Sequence, residues 1–284
     1  MSKGSLAGYG ALITGGAGGF GRAAAARLVR DGAAVTLMGR TASSLKNAAE
    51  DLLKQHPQMV PPQIVVGDAT DEDALAEAVE AADRVPLRIA IGTVGGTTVA
   101  PLLGLSAETL MENFERNVTS ALRLVKHAAT RMSHHGGGSV VLTSSSAAGH
   151  AFAFMPAYSI AKAGLEALVR VAAEELGHLG VRVNAVRPGL VATGGKTPSR
   201  LASDQEEVAL VRREKPLEHQ GTAQDVAEAM RHLAGPESQW TTGAVLPVEG
   251  GAHIRRAPRL EKLARSVCGD DVIDAALRGE ISNS

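Results

Sequence analysis

A tyrosine and a lysine lie four positions apart at Tyr158 and Lys162, in a chain of 284 residues that contains only two tyrosines. Residues four apart on a helix share a face, one turn above the other. An ammonium beside a phenol stabilises the phenolate and lowers the pKa of the phenol. Such a phenol can exchange a proton with a substrate near neutral pH, so the pair is a candidate catalytic acid/base. An ordinary pair on a helix surface has the same spacing, and the rest of the chain must decide between the two interpretations.

The composition of the chain makes several kinds of partner unexpected. The formal net charge is −1, which gives no electrostatic reason to expect nucleic acid or an anionic membrane. Aromatic residues make up 2% of the chain, too few to favour stacking on single-stranded nucleic acid. Cys268 is the single cysteine, so an intrachain disulfide is impossible. The N-terminus lacks the layout of a signal peptide and no run of about 18 apolar residues occurs, so we expect a cytoplasmic protein without a membrane span.

Short apolar segments alternate with helical patterns along most of the chain. Strands are predicted at 9–14, 34–38, 64–67, 87–91, 139–143, 181–186 and 244–248. Helices are predicted at 19–30, 41–55, from about 71, and at 106–132, 157–176 and 222–233. Continuous apolar strands that alternate with helices predict an α/β fold, a doubly wound parallel sheet of about seven strands with helices on both faces.

Two segments depart from this alternation. Residues 194–216 are polar and loop-like, and a long insertion between a strand and a helix is often a lid. A tail of residues 255–284 follows the domain predicted for residues 1–254. Four apolar residues of the tail lie at helical spacing and form one stripe, which predicts either packing on the same domain or contact with a second subunit. These residues are Leu260, Leu263, Ala264 and Val267.

A glycine-rich loop, residues 14–21, follows the first predicted strand and opens the first predicted helix. Glycines at such a position permit a tight turn and a close approach of the backbone to a pyrophosphate. The helix N-terminus adds N–H groups and the positive end of its dipole. The loop in this setting therefore predicts a dinucleotide site.

Gly15, Gly19 and Gly21 form the pattern T-G-x-x-x-G-x-G. Together with the Tyr158 and Lys162 pair, this pattern resembles the classical short-chain dehydrogenase/reductase family over about residues 6 to 254. The resemblance implies a single-domain Rossmann fold, a nicotinamide dinucleotide cofactor and hydride transfer to or from a carbonyl or alcohol carbon. It also implies a homotetramer or a homodimer.

The resemblance implies a set of cofactor contacts along the carboxyl ends of the strands. In that set, Asp68 matches an aspartate that contacts adenine, and this role is compatible with capping the next helix. Val191 and Thr193 belong to a segment on the nicotinamide side. The whole set is Gly15, Ala17, Gly18, Gly19, Phe20, Gly21, Arg40, Asp68, Ala69, Gly95, Tyr158, Lys162, Pro188, Gly189, Val191 and Thr193.

The end of the second predicted strand favours NADP(H) over NAD(H). An acidic residue there would bind the ribose hydroxyls and repel a 2′-phosphate, but this chain has Gly39 followed by Arg40. A guanidinium can bind a phosphate bidentately, and nearby hydroxyls of Thr41, Ser43 and Ser44 can add hydrogen bonds. The alternative is that Arg40 is a solvated arginine or stacks on adenine.

One segment differs from the family pattern. After the fourth strand the family usually has Asn-Asn-Ala-Gly, whereas this chain has Gly92-Thr93-Val94-Gly95. Small residues still let the backbone pass close to a cofactor. The absence of the asparagine side chains predicts a less rigid loop.

The resemblance completes a catalytic set of Asn117, Ser145, Tyr158 and Lys162. Ser145 lies thirteen residues before Tyr158, the common family spacing, although Ser146 fits a second family pattern. In the implied mechanism of reduction, Tyr158 protonates the substrate oxygen that Ser145 orients. Lys162 lowers the pKa of Tyr158 and binds the nicotinamide ribose, and the backbone carbonyl of Asn117 supports a water relay to Lys162.

The segment between the serine and the tyrosine borders the substrate pocket in the family. Phe152, Phe154 and Met155 predict an apolar substrate surface or simple packing, and His150 is interpreted as a loop histidine. No cluster has the spacing of metal ligands, so no metal is expected. The chain is thus predicted to be an NADP(H)-dependent oxidoreductase of a carbonyl or secondary alcohol. The alternatives are a non-catalytic NADP-binding regulator or scaffold, or an enoyl reductase, in which the tyrosine and lysine are typically further apart.

Overall fold

The computed structural model describes residues 5–191, 193, 205–213, 215–217, 219–254 and 260–280. The strands are β1 (Gly10–Thr14), β2 (Ala34–Gly39), β3 (Gln63–Val66), β4 (Leu87–Gly92), β5 (Gly138–Thr143), β6 (Val181–Pro188) and β7 (Val245–Val248). They form one parallel sheet in the order β3-β2-β1-β4-β5-β6-β7. This arrangement confirms the predicted doubly wound α/β fold with seven strands.

Helices cover both faces of the sheet, which is why the strands are apolar along their whole length. The helices are α1 (Gly19–Arg30), α2 (Ala42–Gln55), α3 (Glu72–Ala82), α4 (Ala107–Phe114), α5 (Ser120–His134), α6 (Pro156–Leu176), α7 (Gln205–Arg213), α8 (Ala223–Ala234), α9 (Glu261–Cys268) and α10 (Asp270–Leu277). Leu28 of α1 and Met230 of α8 belong to the core on one face. Leu124 of α5 and Leu165 of α6 belong to the core on the other face.

The sheet has a switch point between β1 and β4. The chain builds outward from β1 through β2 to β3, then returns to the other side of β1 and continues from β4 to β7. Thr14 and Gly92 are paired at the carboxyl ends of the two central strands. Open α/β sheets bind ligands in the crevice beyond such a point, so the fold itself places a site at this edge.

Two predicted segments differ from the structure in detail. The helix predicted over 106–132 is divided into α4 and α5 by a π-helical turn, Glu115–Thr119, in which the hydrogen bonds span five residues. The prediction of a loop-like segment over 194–216 is wrong in part, because α7 lies within these residues. Residues 194–204 and 214 of this predicted lid lie outside the described residues.

The C-terminal tail packs on its own domain through α9 and α10. Leu260, Leu263 and Ala264 are buried, whereas Val267 is 40% exposed and is not part of the buried face. We call the group formed by these contacts the tail cluster. Its members are Val99, Phe152, Phe154, Met155, Tyr158, Leu190, Leu260, Leu263, Ala264, Cys268 and Ile273.

Candidate active site

The glycine-rich loop has a backbone path that only glycine allows. Gly15 has φ of +71°, in the left-handed region where other residues are strained. A Cβ atom on Gly21 would lie 2.3 Å from the Gly15 carbonyl oxygen, and one on Gly19 would lie 2.8 Å from Cβ of Thr193. The loop is therefore closed tightly against α1 and against the segment after β6. It leaves the N-terminus of α1 facing the cavity, where an anion is favoured.

Thr93 supports the loop that lacks the family's asparagines. Its hydroxyl donates to the carbonyl oxygen of Thr14 at 2.8 Å, and its backbone N–H donates to the same oxygen at 3.1 Å. It also lies 3.3 Å from the Gly15 carbonyl oxygen. A threonine hydroxyl thus supplies a crosslink between β4 and the glycine-rich loop, and the expectation of a less rigid loop stays a prediction.

Arg40 and Asp68 lie together at the end of the cavity that β2 and β3 form. Arg40 Nη1 is 3.8 Å from Asp68 Oδ2, and the Arg40 side chain is 80% exposed. Asp68 accepts hydrogen bonds from the backbone and hydroxyl of Thr70, at 3.0 and 2.9 Å. These bonds, with the charges of Arg40 and Arg116, hold the pKa of Asp68 below its ordinary value. Asp68 does not cap α3; the N-cap is Asp71, which accepts from the Ala74 N–H.

Tyr158 is partly buried at the base of the cavity, near the start of α6. Burial is the largest effect on the phenol and raises its pKa, and a hydrogen bond with Ser145 lowers the pKa in part. The phenol is therefore protonated at neutral pH. The nitrogen of Lys162 lies 5.7 Å from the centre of the Tyr158 ring, and the lowering of the phenol pKa by Lys162 stays a prediction.

Lys162 is almost fully buried and donates to the carbonyl oxygen of Thr143 at 2.7 Å. Burial lowers the pKa of its ammonium to about 8, against the charge of Glu166, which raises it. Lys162 therefore loses its charge within the range of pH in which enzymes are commonly assayed.

Asn117 lies in the π-helical turn and is completely buried. Its amide donates to the carbonyl oxygens of Gly96 and Asn113 at 3.0 and 2.9 Å, and its oxygen accepts from the Gly96 N–H at 3.3 Å. A Cβ atom on Gly95 would lie 2.7 Å from Asn117 Oδ1 and 3.2 Å from Lys162 Nζ. The side chain thus fixes the loop after β4 beside the lysine. The family resemblance predicted a role only for its backbone carbonyl.

The predicted residues meet in one cavity of about 1910 Å³, well above the roughly 300–1,000 Å³ of an ordinary small-ligand pocket. All the predicted site residues except Gly21 and Asn117 form part of the cavity wall. Gly21 is buried by the loop, and Asn117 lies behind Gly95 and Gly96. His150, Phe152, Met155 and Leu260 form the wall near Tyr158, whereas Phe154 only packs in the tail cluster. The packing role predicted for this segment is therefore present, and its role as a substrate surface stays a prediction.

Two acidic side chains near the site had no part in the sequence analysis. Glu166 is buried one turn after Lys162 and forms an ion pair with Arg187. Glu249 lines the cavity after β7 and pairs with His253 at 2.5 Å. The four-residue steps from Tyr158 to Lys162 and on to Glu166 were a usable signal for the first. Glu249 and His253 are also four apart, but no predicted helix contained them.

The described residues contain no group of histidine, cysteine, aspartate or glutamate placed to hold a metal ion. Among the same residues, no helix has the length and apolar character needed to cross a membrane. The fold and the glycine-rich loop at its switch point define a Rossmann-type nucleotide-binding protein.

Similarity to known proteins identifies the family within this class. Residues 15–253 match a family model described as enoyl-(acyl carrier protein) reductase. An NADPH-dependent aldehyde reductase-like protein from Arabidopsis thaliana is 31% identical, over 87% of this chain and 94% of that protein. D-erythrulose reductase from Gallus gallus is 32% identical, over 87% and 96% of the two chains. The structure of a short-chain dehydrogenase/reductase from Mycobacterium ulcerans superposes with a TM-score of 0.89 and 32% identity, over 95% of this chain and 98% of that one.

The chain therefore belongs to the short-chain dehydrogenase/reductase family and is an oxidoreductase of that class. The family resemblance carried by the glycine pattern and the tyrosine–lysine pair is confirmed.

Proposed function

We propose that the protein is an NADP(H)-dependent oxidoreductase of a carbonyl or secondary alcohol in a small, partly apolar substrate. The observation that carries this proposal is the meeting of Tyr158, Ser145 and Lys162 in the cavity that also contains the glycine-rich loop. The names of an aldehyde reductase and a D-erythrulose reductase among the relatives support the same chemistry.

The residues present fit a dinucleotide. Gly15 and Gly19 keep the loop backbone bare, and a Cβ atom on Gly95 would fill the space beside Lys162. The glycine-rich loop and the N-terminus of α1 would hold the pyrophosphate, Asp68 the adenine, and the segment from Pro188 to Thr193 the nicotinamide side. When bound, the nicotinamide supplies or accepts the hydride.

The side chains then supply the proton chemistry. Ser145 donates a hydrogen bond to the substrate oxygen and polarises the carbonyl. Tyr158, which burial keeps protonated, gives its proton to that oxygen during reduction and takes it back during oxidation. Lys162 carries the nearby positive charge that stabilises the resulting phenolate. Asn117 holds the loop that passes beside Lys162. The proposed serine is Ser145 and not Ser146, because Ser145 hydrogen-bonds to Tyr158.

Arg40 supports the preference for NADP(H). Its side chain is exposed at the cavity rim and pairs with Asp68 only at 3.8 Å, so it is free to turn toward a 2′-phosphate. Thr41 and Ser44 line the same rim. A phosphate there would meet a guanidinium and two hydroxyls, whereas a bare ribose would find no carboxylate at Gly39.

The cofactor preference is tested by fluorescence titration with NADPH and NADH. We expect tighter binding of NADPH, and we expect Arg40→Ala to weaken NADPH binding about 10-fold or more with little effect on NADH. Arg30→Ala, which removes an exposed arginine at the far end of α1, is the matched control and leaves both affinities unchanged. Equal dissociation constants for the two cofactors in the wild-type protein would refute the preference.

The reaction is tested by following NADPH absorbance over a panel of ketones, aldehydes and enones. Turnover of carbonyls supports the proposal. Turnover of enones alone would support a C=C reductase, as the description of the family model suggests, although the Tyr158 to Lys162 step of four argues against it. Tight NADPH binding without any turnover would indicate a cofactor-binding regulator or scaffold. We also propose a cytoplasmic homodimer or homotetramer, which light scattering and fractionation test.

A further inference from the structure

A buried ion pair lies directly behind the proposed catalytic residues. Glu166 accepts hydrogen bonds from Arg187 Nε at 2.9 Å and from Arg187 Nη2 at 2.6 Å. The exposed fractions of the two side chains are 7% for Glu166 and 21% for Arg187. Glu166 also accepts a hydrogen bond of 2.7 Å from the Ser144 hydroxyl. None of these three residues has a role in the mechanism above.

The contacts of Glu166 complete a regular pattern between β5 and α6. Three consecutive residues at the carboxyl end of β5 meet three residues one turn apart on the helix. The Thr143 carbonyl accepts from Lys162 at 2.7 Å, the Ser144 hydroxyl donates to Glu166, and Ser145 hydrogen-bonds to Tyr158. The middle contact therefore fixes the segment that carries the other two.

Among the described residues, the carboxylate of Glu166 is the acidic group that raises the pKa of Lys162. The groups that face the lysine are Tyr158 and Glu166 on its own helix, the Thr143 carbonyl and Ser145 after β5, the neutral Asn117 near α5, and Arg187 on β6 behind Glu166. Glu249 after β7 acts on Arg187 from the other side. Burial alone would discharge Lys162 at a lower pH, and the carboxylate of Glu166 opposes this.

We propose that Glu166 is a positioning residue for the catalytic centre, which fixes the Ser144 segment and, held by Arg187, keeps a negative charge one helical turn from Lys162. The contacts are bidentate and largely shielded from solvent, so they fix the direction of the carboxylate. The catalytic consequence rests on the function proposed above, whereas the effect on Lys162 does not.

The first test compares three variants with a carbonyl substrate found in the panel. Glu166→Gln keeps the shape of the side chain and removes its negative charge. We expect kcat to fall about 10-fold or more, with a small change in KM, and the loss of activity at high pH to begin about one pH unit lower. Ser144→Ala removes the hydroxyl but keeps the charge, so it lowers kcat without moving the pH profile.

Asp31→Asn is the matched control for loss of a buried ion pair. Asp31 pairs with Arg231 between α1 and α8, on the opposite side of the sheet from α6. This variant lowers the unfolding temperature but leaves kcat and the pH profile unchanged. An unchanged pH profile in Glu166→Gln, or the same kinetic change in Asp31→Asn, would overturn the proposal.

A second test needs no substrate or cofactor. The difference in unfolding temperature between the wild type and Lys162→Met is measured against pH, and again in the Glu166→Gln background. We expect the titration of Lys162 to move to lower pH when Glu166 is neutral; an unmoved titration contradicts the proposal even if no substrate is found. If Glu166→Gln does not fold because Arg187 loses its partner, the double variant Glu166→Gln with Arg187→Gln removes both charges and replaces it in both tests.

Discussion

Tyr158 combines two effects that favour a proton donor. Burial in the tail cluster raises its pKa, so the phenol holds its proton at neutral pH, while the interaction with Ser145 lowers the pKa in part. The nitrogen of Lys162 lies 5.7 Å from the centre of the phenol ring, but the charge of Lys162 is lost above a pH of about 8. At the residue scale, the proposed proton transfer therefore depends on two groups whose pKa values are shifted mainly by burial.

Replacement of Tyr158 by Phe removes the hydroxyl and keeps the ring in the tail cluster. We expect turnover to fall by 10² or more, because a positioned acid/base commonly contributes 10²–10⁴ to the rate, with NADPH affinity changed little. Tyr9→Phe is the matched control, since Tyr9 is the other tyrosine and contacts Arg88 away from the cavity. Steady-state kinetics and fluorescence titration measure the two effects. Near-normal turnover in Tyr158→Phe would exclude the phenol as the acid.

Lys162 makes stability depend on pH. Its pKa is about 8 in the folded protein and 10.5 as the ordinary value, so the unfolded chain binds the additional proton between these two values. Stability therefore rises with pH from about 8 to 10.5, by about 3 kcal/mol in total at about 1.4 kcal/mol for each pH unit. Urea unfolding at several pH values measures this slope, and Lys162→Met should remove it. A slope that is the same in both proteins would show that other groups cause it.

At the element scale, the candidate site depends on loops that hydrogen bonds from side chains to the backbone hold close together. Thr93 joins the loop after β4 to the glycine-rich loop, and Asn117 joins it to the π-helical turn. The π-helical turn shifts the register of hydrogen bonds by one residue, a feature frequent at functional sites, and here it contains Asn117 at its centre.

Gly95→Ala tests how closely these elements approach. The added Cβ atom would lie 2.7 Å from Asn117 Oδ1 and 3.2 Å from Lys162 Nζ. Because these distances are too short, the loop must shift away from the two side chains. We expect NADPH affinity to fall about 10-fold or more, measured by fluorescence titration. Gly177→Ala is the control, because its Cβ atom meets nothing within 4 Å and its φ is −59°. This control leaves NADPH affinity unchanged, and equal affinities in the two variants would contradict the close approach.

At the scale of the whole molecule, the C-terminal tail forms part of the wall of the candidate active site and also packs in the core of the domain. Leu260 and Leu263 pack in the same cluster as Tyr158 and Met155, so α9 closes the wall of the cavity behind the catalytic phenol. The tail thus acts as part of the core and not as an appendage.

Leu263→Ala should therefore destabilise the protein by about 2–4 kcal/mol, the usual cost of a cavity at a buried leucine. Val267→Ala on the same helix removes a side chain that is 40% exposed, and we expect a change of about 0.5 kcal/mol or less. Urea unfolding with a matched substrate assay measures stability and turnover together. Equal small effects of the two variants would show that the tail does not stabilise the domain.

The amino-acid sequence by itself determined the fold, because buried parallel strands and their covering helices leave a clear alternation of apolar patterns. It also determined the dinucleotide loop and the tyrosine–lysine pair, since both depend on residues close together in the chain. Only the tertiary structure decided the rest. The hydroxyl of Thr93 bonds to the Thr14 carbonyl across 79 residues, and Arg187 on β6 pairs with Glu166 on α6. The tail covers Tyr158 from more than 100 residues away. Contacts of this kind leave no period in the sequence, because each depends on how separate elements pack in three dimensions.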